Sequence, residues 1–201
     1  MKTLIIIDMQ NDFIPGGSLE VPEGDEIIPI INNIQKKFDL VIATQDWHPK
    51  EHVSFASNHD GKKPFDTIEW HDMKQILWPD HCVQNSKGAK FHADIDMTKV
   101  EAIFRKGMDR EIDSYSGFYD NGHEKNTGLA GYLRGREAKE LFFCGLAADV
   151  CVNFSINDAL DEGFSTTLIE DATRAIDEEE YHKAREQLEN KGCKFTKSSG
   201  L

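Results

Sequence analysis

Short apolar segments alternate along the chain with longer segments whose apolar residues recur every three or four positions. The short segments are rich in β-branched residues, which is typical of buried strands, and the longer ones have the periodicity of amphipathic helices. We predict strands at residues 3–8, 40–46, 101–106, 140–145 and 165–170, with a weaker one at 193–196. We predict helices at about 25–37, 128–136, 149–162 and 177–191. This alternation predicts a parallel sheet covered by helices on both faces.

One long region, at about residues 47–98, interrupts the alternation. It is rich in His, Asp, Trp and Pro and shows no clear period. A loop of that length inside a compact domain is usually functional. A chain of 201 residues suits one domain with a sizeable core. We therefore predict a single domain over residues 1–201 with a long insertion at about 47–98.

The chain is strongly acidic, with a net charge of -13 spread along its length. Binding to a nucleic acid or to an anionic membrane surface is therefore not expected. No apolar run approaches the roughly 20 residues that span a bilayer, and the N-terminal run is too short for a signal peptide and is broken by Asp8. We expect a cytoplasmic protein whose four cysteines are reduced thiols.

Polar side chains stand at the ends of four predicted strands. The first three strands end at Asp8, Asp46 and Lys106, and the fourth leads through the segment GLAAD to Cys151. Strand ends meet water and are often polar for that reason alone. In a doubly wound sheet, however, ligands bind outside the carboxyl ends of the strands. Two acids, a lysine and a thiol at one edge therefore favour a functional site.

Cys151 stands where a predicted strand gives way to a predicted helix. The positive end of the helix dipole and a nearby lysine would both favour the reactive thiolate, and backbone N–H groups of that turn could hold an oxyanion. Asp8 would then accept the thiol proton, and Lys106 would stabilise the charged forms. The other interpretation is a buried structural cysteine, and Cys151 alone does not decide between the two. Cys144 and Cys193 lie within predicted strands and are expected to be structural.

A second candidate site lies in the segment TQDWHPKEH. Its Asp46 and His48 are two residues apart, so in an extended segment they point to the same side. His81 in LWPDHCVQN could be a third ligand, and His52 a fourth. Such a set suits zinc, iron or manganese. Solvated loop histidines are the alternative.

A third feature is the segment DSYSGFYDNG at residues 113–122. Aromatic residues interspersed with small ones suit a loop that folds over a flat ligand, and Phe13 and Trp78 could join them. Ordinary loop packing explains the same residues.

Five motifs together resemble one family. IIIDMQNDF, TQDWHP, WPDHCVQ, KG followed by DSYSGF, and CGLAADVCV occur in the order found in the nicotinamidase/pyrazinamidase branch of the isochorismatase-like cysteine hydrolases, and the similarity covers nearly the whole chain. The resemblance implies an α/β fold with a doubly wound, mainly parallel six-stranded sheet and helices on both faces. It implies hydrolysis of nicotinamide to nicotinate and ammonia through a cysteine thioester, in NAD salvage. Surface apolar residues could support a homo-oligomer.

The resemblance also assigns residues to the chemistry. It implies Asp8, Lys106 and Cys151 as the catalytic triad. It implies a cis peptide bond between Leu146 and Ala147, which would direct the Ala147 N–H, together with that of Cys151, at the oxyanion.

Metal and substrate ligands are implied in the same way. The implied metal ligands are Asp46, His48 and His81, with His52 or Ser54 as candidates for a fourth. The expected cofactor is a divalent metal, zinc in the first place, with iron or manganese as alternatives. The residues implied to enclose the substrate ring are Phe13, Trp78 and Tyr115.

The sequence departs from the family at one visible position and leaves three other functions open. Many relatives carry a threonine where this chain has Ala148, which leaves the local hydrogen bonding open. Members that hydrolyse the vinyl ether of isochorismate lack the nucleophilic cysteine, so Cys151 argues against that activity. The alternatives are a related cysteine amidohydrolase acting on another carboxamide or N-carbamoyl substrate, a metal- or redox-sensing protein, and a non-haem iron oxygenase.

Overall fold

The structure, a computed structural model, describes all residues from 1 to 201. The strands are β1 (Lys2–Ile7), β2 (Leu40–Asp46), β3 (Thr67–Trp70), β4 (Met73–Ile76), β5 (Val100–Lys106), β6 (Glu140–Leu146), β7 (Ser165–Arg174) and β8 (Lys194–Thr196). The α-helices are α1 (Ile28–Ile34), α2 (Leu129–Gly135), α3 (Asn153–Asp161) and α4 (Glu178–Lys191). None of the helices is long and apolar enough to cross a membrane.

Six strands form one sheet in the order β5-β2-β1-β6-β7-β8, and every neighbouring pair is parallel. The predicted doubly wound, six-stranded parallel sheet is therefore confirmed. Alternate residues of the central strand β1 point to opposite faces. Leu4 and Ile6 belong to the apolar cluster that contains α1, and Ile5 and Ile7 to the one that contains residues of α2, α3 and α4. Both faces are covered, which explains why β1 has no polar alternation.

Several predicted boundaries are wrong by a few residues. β1 ends at Ile7, one residue before Asp8, and β7 continues to Arg174 instead of ending at 170. The predicted helix at 25–37 is shorter, because α1 covers only Ile28–Ile34 and a 3-10 turn follows it.

The predicted helix at 149–162 differs in kind. Residues Ala148–Val152 form one π-helical turn, and the α-helix α3 begins only at Asn153. Cys151 therefore lies in a wide turn before the helix and not in the first turn of the α-helix itself. Wide turns of this kind are frequent at functional sites.

The long region 47–98 contains a hairpin that the sequence did not predict. Its strands β3 and β4 pair antiparallel, from Thr67 opposite Ile76 to Trp70 opposite Met73. Seven of their eight residues are exposed or half-buried, and only Gln75 is buried. Strands that bury no apolar face leave no period in the sequence, and for this reason the hairpin was missed.

Gly145 permits the close approach of β6 to β1. It has φ +108, and a Cβ at this position would lie 2.1 Å from the carbonyl oxygen of Ile7. The register between β6 and β7 shifts between Phe143 and Gly145, just before the chain leaves the sheet toward Cys151. Only glycine fits both the conformation and the space.

We expect Gly145→Ala to destabilise the protein more than Gly163→Ala. Gly163 also has positive φ (+83) but has nothing within 4 Å of its Cβ position, so its substitution costs only the backbone strain of about 1–2 kcal/mol. Gly145→Ala adds overpacking of about 1–3 kcal/mol. Denaturant unfolding of both variants measures the difference; equal losses would show that the contact with Ile7 is unimportant.

Candidate active site

The ammonium group of Lys106 lies at the centre of the site, although the side chain is almost fully buried. Its Nζ is 3.0 Å from Asp8 Oδ2 and 2.8 Å from Asp46 Oδ1. It also lies 3.0 Å from the carbonyl oxygen of Ser114 and 3.4 Å from Cys151 Sγ. Burial alone would lower the pKa of Lys106, but the two carboxylates and the thiol raise it well above its usual value. The lysine therefore remains charged.

Asp8 is placed to accept a proton. It is fully buried directly after β1, and its Oδ1 accepts a hydrogen bond of 2.6 Å from Thr44 Oγ1. Its Oδ2 faces Lys106 but receives no aligned hydrogen bond. Burial raises the pKa of Asp8, although Lys106 opposes the shift. A carboxylate oxygen of Asp8, one of Asp46 and Cys151 Sγ all lie within 4.8 Å of one another, so the thiol proton is close to a basic oxygen.

Cys151 is a buried thiol in this structure. Burial raises the pKa of its side chain well above the usual value, and Lys106 only partly opposes the shift. Lys106 favours the thiolate, as expected from the sequence, but the opposing effect of burial is larger. The thiol must lose its proton to a neighbouring base before it can attack. Cys144 keeps its structural interpretation, since burial also raises its pKa and its Sγ lies 3.8 Å from the carbonyl oxygen of Ile5.

Asp46, His48 and His81 converge as predicted. Asp46 Oδ2 is 3.2 Å from His48 Nε2 and 3.6 Å from His81 Nε2. The Nδ1 of each histidine donates to a main-chain carbonyl, that of His48 to Gly107 (2.9 Å) and that of His81 to Pro79 (2.8 Å). With Nδ1 engaged in each ring, Nε2 is the nitrogen that faces the carboxylate and would bind a metal. Two imidazole nitrogens and a carboxylate oxygen, all buried and within 4.8 Å of one another, fit a divalent metal.

Asp46 connects this cluster to the thiol. Its Oδ1 accepts from Lys106, and its Oδ2 faces the two histidines. Burial would raise the pKa of Asp46, but His48 and Lys106 hold it well below its usual value. The ionised carboxylate is thus shared by the lysine and the candidate metal ligands.

Gly107 lets the main chain after Lys106 approach the candidate metal ligand His48 closely. It follows Lys106 directly, and its φ is +64. A Cβ at Gly107 would lie 2.3 Å from His48 Cε1, so the imidazole occupies the space of the missing side chain.

His52 lies beside the candidate metal ligands. Its ring is 4.3 Å from that of His48, and its Nε2 is buried without a partner. Its Nδ1 lies 2.7 Å from Ser54 Oγ. Burial lowers the pKa of His52 to about 4, so the ring is neutral. His52 forms a second group with His48 and Asp113, in which one ligand atom of each residue lies within 4.8 Å of the others.

The three predicted ring-binding residues line one cleft. Phe13, Trp78 and Tyr115 line this cleft together with Cys151 and Ala147. Asp46, His81 and Asp113 also reach it. The peptide bond between Leu146 and Ala147 is cis, as the resemblance implied. The thiol, two candidate metal ligands and three aromatic rings therefore share one space.

Sequence reasoning missed several polar residues that hold the site in place. Gln10 Nε2 donates to the carbonyl oxygen of Asp46 (2.8 Å), and Gln10 Oε1 accepts from the backbone N–H of Asp46 (2.7 Å). Thr44 bonds Asp8 and stands two residues before Asp46 in β2. Asp113 was inside a noted segment but was not singled out. The period of two along β2 could have indicated Thr44; nothing local indicates the other two.

The fold and this cluster define a class, the α/β cysteine hydrolases. A model of the isochorismatase domain matches residues 2–199, so the chain belongs to the isochorismatase family. Within the family it falls in the nicotinamidase/pyrazinamidase branch. It is 48% identical to a nicotinamidase of Acinetobacter baylyi over 174 residues, which are 87% of this chain and 81% of that protein. A ureidoacrylate amidohydrolase of the same organism is 25% identical over 205 residues, 90% and 74% of the two chains.

Solved structures show the same relation. The chain matches a structure described as an Acinetobacter baumanii nicotinamidase/pyrazinamidase with a TM-score of 0.97, at 43% identity and over 100% and 97% of the two chains. It matches yeast nicotinamidase bound to the inhibitor nicotinaldehyde with a TM-score of 0.94, at 35% identity and over 98% and 100%. It matches a pyrazinamidase of Pyrococcus horikoshii in complex with zinc with a TM-score of 0.81, at 38% identity and over 98% of each chain.

We expect removal of divalent metal to lower the thermal unfolding midpoint, because a ligand bound only by the folded state stabilises it. Saturation at about 100 times the dissociation constant corresponds to about 2.7 kcal/mol, or roughly 5–10 °C for a chain of this size. His81→Ala should lose most of the difference between zinc-loaded and chelator-treated protein in differential scanning fluorimetry. The control is His92→Ala, since His92 is half-buried beside Asp94 and outside the cluster. An equal shift in both variants would contradict the site.

Proposed function

We propose that this protein hydrolyses nicotinamide to nicotinate and ammonia, with Cys151 as the nucleophile. The observation that carries the proposal is the position of Lys106, whose ammonium group contacts Asp8, Asp46 and Cys151 at once. It places a nucleophile and a base beside a cluster that fits a metal. The relation to nicotinamidases, one of them bound to nicotinaldehyde, supports a pyridine as the ring.

The first half of the reaction forms a thioester. Asp8 accepts the proton of the Cys151 thiol, and the sulfur attacks the carbonyl carbon of the carboxamide. Lys106 stabilises the negative charge on sulfur during the transfer. The protonated Asp8 then gives its proton to the amide nitrogen, the carbon–nitrogen bond breaks, and ammonia leaves. The acyl group remains on Cys151.

The second half releases the acid. Asp8, again ionised, takes a proton from water while the water oxygen attacks the thioester carbonyl. The carbon–sulfur bond breaks, and the sulfur regains a proton from Asp8. Nicotinate leaves, and the resting thiol is restored, in agreement with the raised pKa of Cys151.

Backbone N–H groups at the start of the wide turn would hold the oxyanion in both halves. We assign this role to the N–H groups of Ala147 and Cys151, since both residues line the cleft. One such donor is typically worth about 3–4 kcal/mol in the transition state.

The ring is held by aromatic side chains and oriented by the metal cluster. Phe13, Trp78 and Tyr115 would enclose it, because they line the cleft that contains the thiol. The proposed zinc, when bound, would accept the lone pair of the pyridine nitrogen and so fix the carboxamide beside the sulfur. Its proposed ligands, drawn mainly from the insertion at 47–98, are Asp46, His48 and His81, with His52 ranked before Ser54 as the fourth.

The other functions considered receive less support. A metal sensor or an iron oxygenase would leave the contacts among Asp8, Lys106 and Cys151 without a role. An N-carbamoyl amidohydrolase is the nearest alternative, and the lower identity to the ureidoacrylate amidohydrolase than to the nicotinamidase of the same organism speaks against it.

We expect Cys151→Ala to abolish ammonia release from nicotinamide, because the thioester cannot form. The variant should keep the zinc-dependent shift in its unfolding midpoint, since Cys151 is not among the candidate metal ligands. Cys193→Ala is the matched control: it removes a buried thiol directly before β8 and should retain activity. Substantial turnover by Cys151→Ala would exclude covalent catalysis.

We expect Asp8→Asn to lower kcat by about 10²–10⁴-fold, because the amide keeps the size of the side chain but cannot accept the thiol proton. Single-turnover mixing with nicotinamide should show no acyl adduct on Cys151 by mass spectrometry, whereas the wild-type protein should show one. A kcat within a few-fold of wild type would mean that another group is the base.

A further inference from the structure

Gln75 is a buried polar residue on an otherwise exposed hairpin. The residue is 6% exposed, and its Nε2 lies 2.7 Å from the carbonyl oxygen of Ile76. The same nitrogen lies 3.2 Å from Asp113 Oδ2 and 3.3 Å from Tyr115 Oη. Burying an amide is costly unless it is hydrogen-bonded. The hairpin therefore directs its one buried side chain at the wall of the candidate active site.

The hydroxyl group of Tyr115 receives two donors. Gln75 Nε2 and Trp78 Nε1 each lie 3.3 Å from it, and both nitrogens can only donate. The amide has two hydrogens for three acceptors, so Tyr115 Oη shares one of them with a neighbouring oxygen. The far end of the tyrosine is held by this shared contact and by Trp78 Nε1. The rings of Trp78 and Tyr115 meet edge to face, with centroids 6.1 Å apart and an interplanar angle of 83°.

The ring of Tyr115 packs against the apolar cluster that contains α1, and such packing is non-directional. The N–H of Tyr115 donates to Asn121 Oδ1 at 3.0 Å, which fixes the main chain only. Phe154, whose ring centroid lies 5.2 Å from that of Tyr115, is exposed. The hydroxyl contacts are therefore the directional restraint on the side chain.

We propose that Gln75 is a positioning residue for substrate binding, acting through the hydroxyl of Tyr115. It fixes the tyrosine ring against Trp78, so that this wall of the cleft is preformed for a flat aromatic carboxamide. The inference rests on the proposed function, since the wall matters only if an aromatic ring binds there. Loss of the amide should reduce the fraction of molecules whose wall is formed and leave the thiol, Asp8 and Lys106 in place.

The hairpin has a second anchor that supplies a matched control. Trp70 Nε1 donates to the carbonyl oxygen of Glu111 at 2.8 Å, and this bond does not involve Tyr115. If the hairpin acted only as a cover, loosening it at Trp70 would have the same effect as loosening it at Gln75.

The experiment measures kcat and KM for nicotinamide in four variants: Gln75→Met, Trp70→Phe, Tyr115→Phe, and Gln75→Met with Tyr115→Phe. Methionine keeps the length of glutamine without its donor. Gln75→Met should raise KM about 3- to 12-fold, the range for one neutral hydrogen bond, with kcat changed less than about 2-fold. Trp70→Phe should leave KM within about 2-fold. In the Tyr115→Phe background, Gln75→Met should raise KM by less than about 2-fold more, because the group through which it acts is gone.

Three outcomes would overturn the inference: an unchanged KM in folded Gln75→Met, an equal increase in Trp70→Phe, or a full increase that persists in the Tyr115→Phe background. The last would show that the amide acts through Asp113. Thermal unfolding of each variant identifies loss of fold. Gln75→Asn keeps a buried amide but is too short to reach Tyr115. It should therefore raise KM as much as Gln75→Met does, if the lost contact and not the lost amide is the cause. The proposed function fails separately, if the wild-type protein releases no ammonia from nicotinamide.

Discussion

The buried ammonium of Lys106 is the constraint on which the site depends. A charge removed from water is tolerated only when it is paired, and removing one partner of such a pair typically costs about 3–5 kcal/mol. The partners here come from the ends of β1 and β2 and from the wide turn after β6. The ends of four parallel strands must therefore keep their register, and the sheet that supplies the fold also determines the spacing of the reacting groups.

Asp46 makes the chemistry of the thiol and the binding of a metal interdependent. One of its oxygens faces the lysine and the other faces two histidines whose outer nitrogens are fixed by main-chain carbonyls. Gln10 in turn holds the main chain of Asp46 through both its donor and its acceptor. One carboxylate thus contributes both to the candidate metal site, which would orient a bound ring, and to the charges around the sulfur.

The sequence predicted those parts of the site that follow from chain period. Strand β2 is buried along its whole length and gives an apolar run that ends at Asp46. The edge strand β5 is only partly buried, but its apolar residues still locate the end that carries Lys106. Parallel pairing places such ends at one edge. The raised pKa of Cys151 could not be predicted, because it arises from burial in the folded state, which outweighs the local charges. The hairpin that carries Gln75 could not be predicted for a related reason. Its strands bury no apolar face, and the amide of Gln75 contacts Asp113 and Tyr115, which are distant in the sequence. The wide turn before α3 has no pattern that distinguishes it from an ordinary helix start.

The glycine after Lys106 limits how this scaffold can diversify. The imidazole of His48 fills the volume in which any side chain at position 107 would stand. The carbonyl oxygen of Gly107 accepts a hydrogen bond from that imidazole. A substitution at position 107 would therefore displace His48 and change the main chain next to Lys106 at the same time, so neither group can be altered alone through this position. Changes that alter the choice of metal are better tolerated at His52, whose Nε2 is buried without a hydrogen-bond partner.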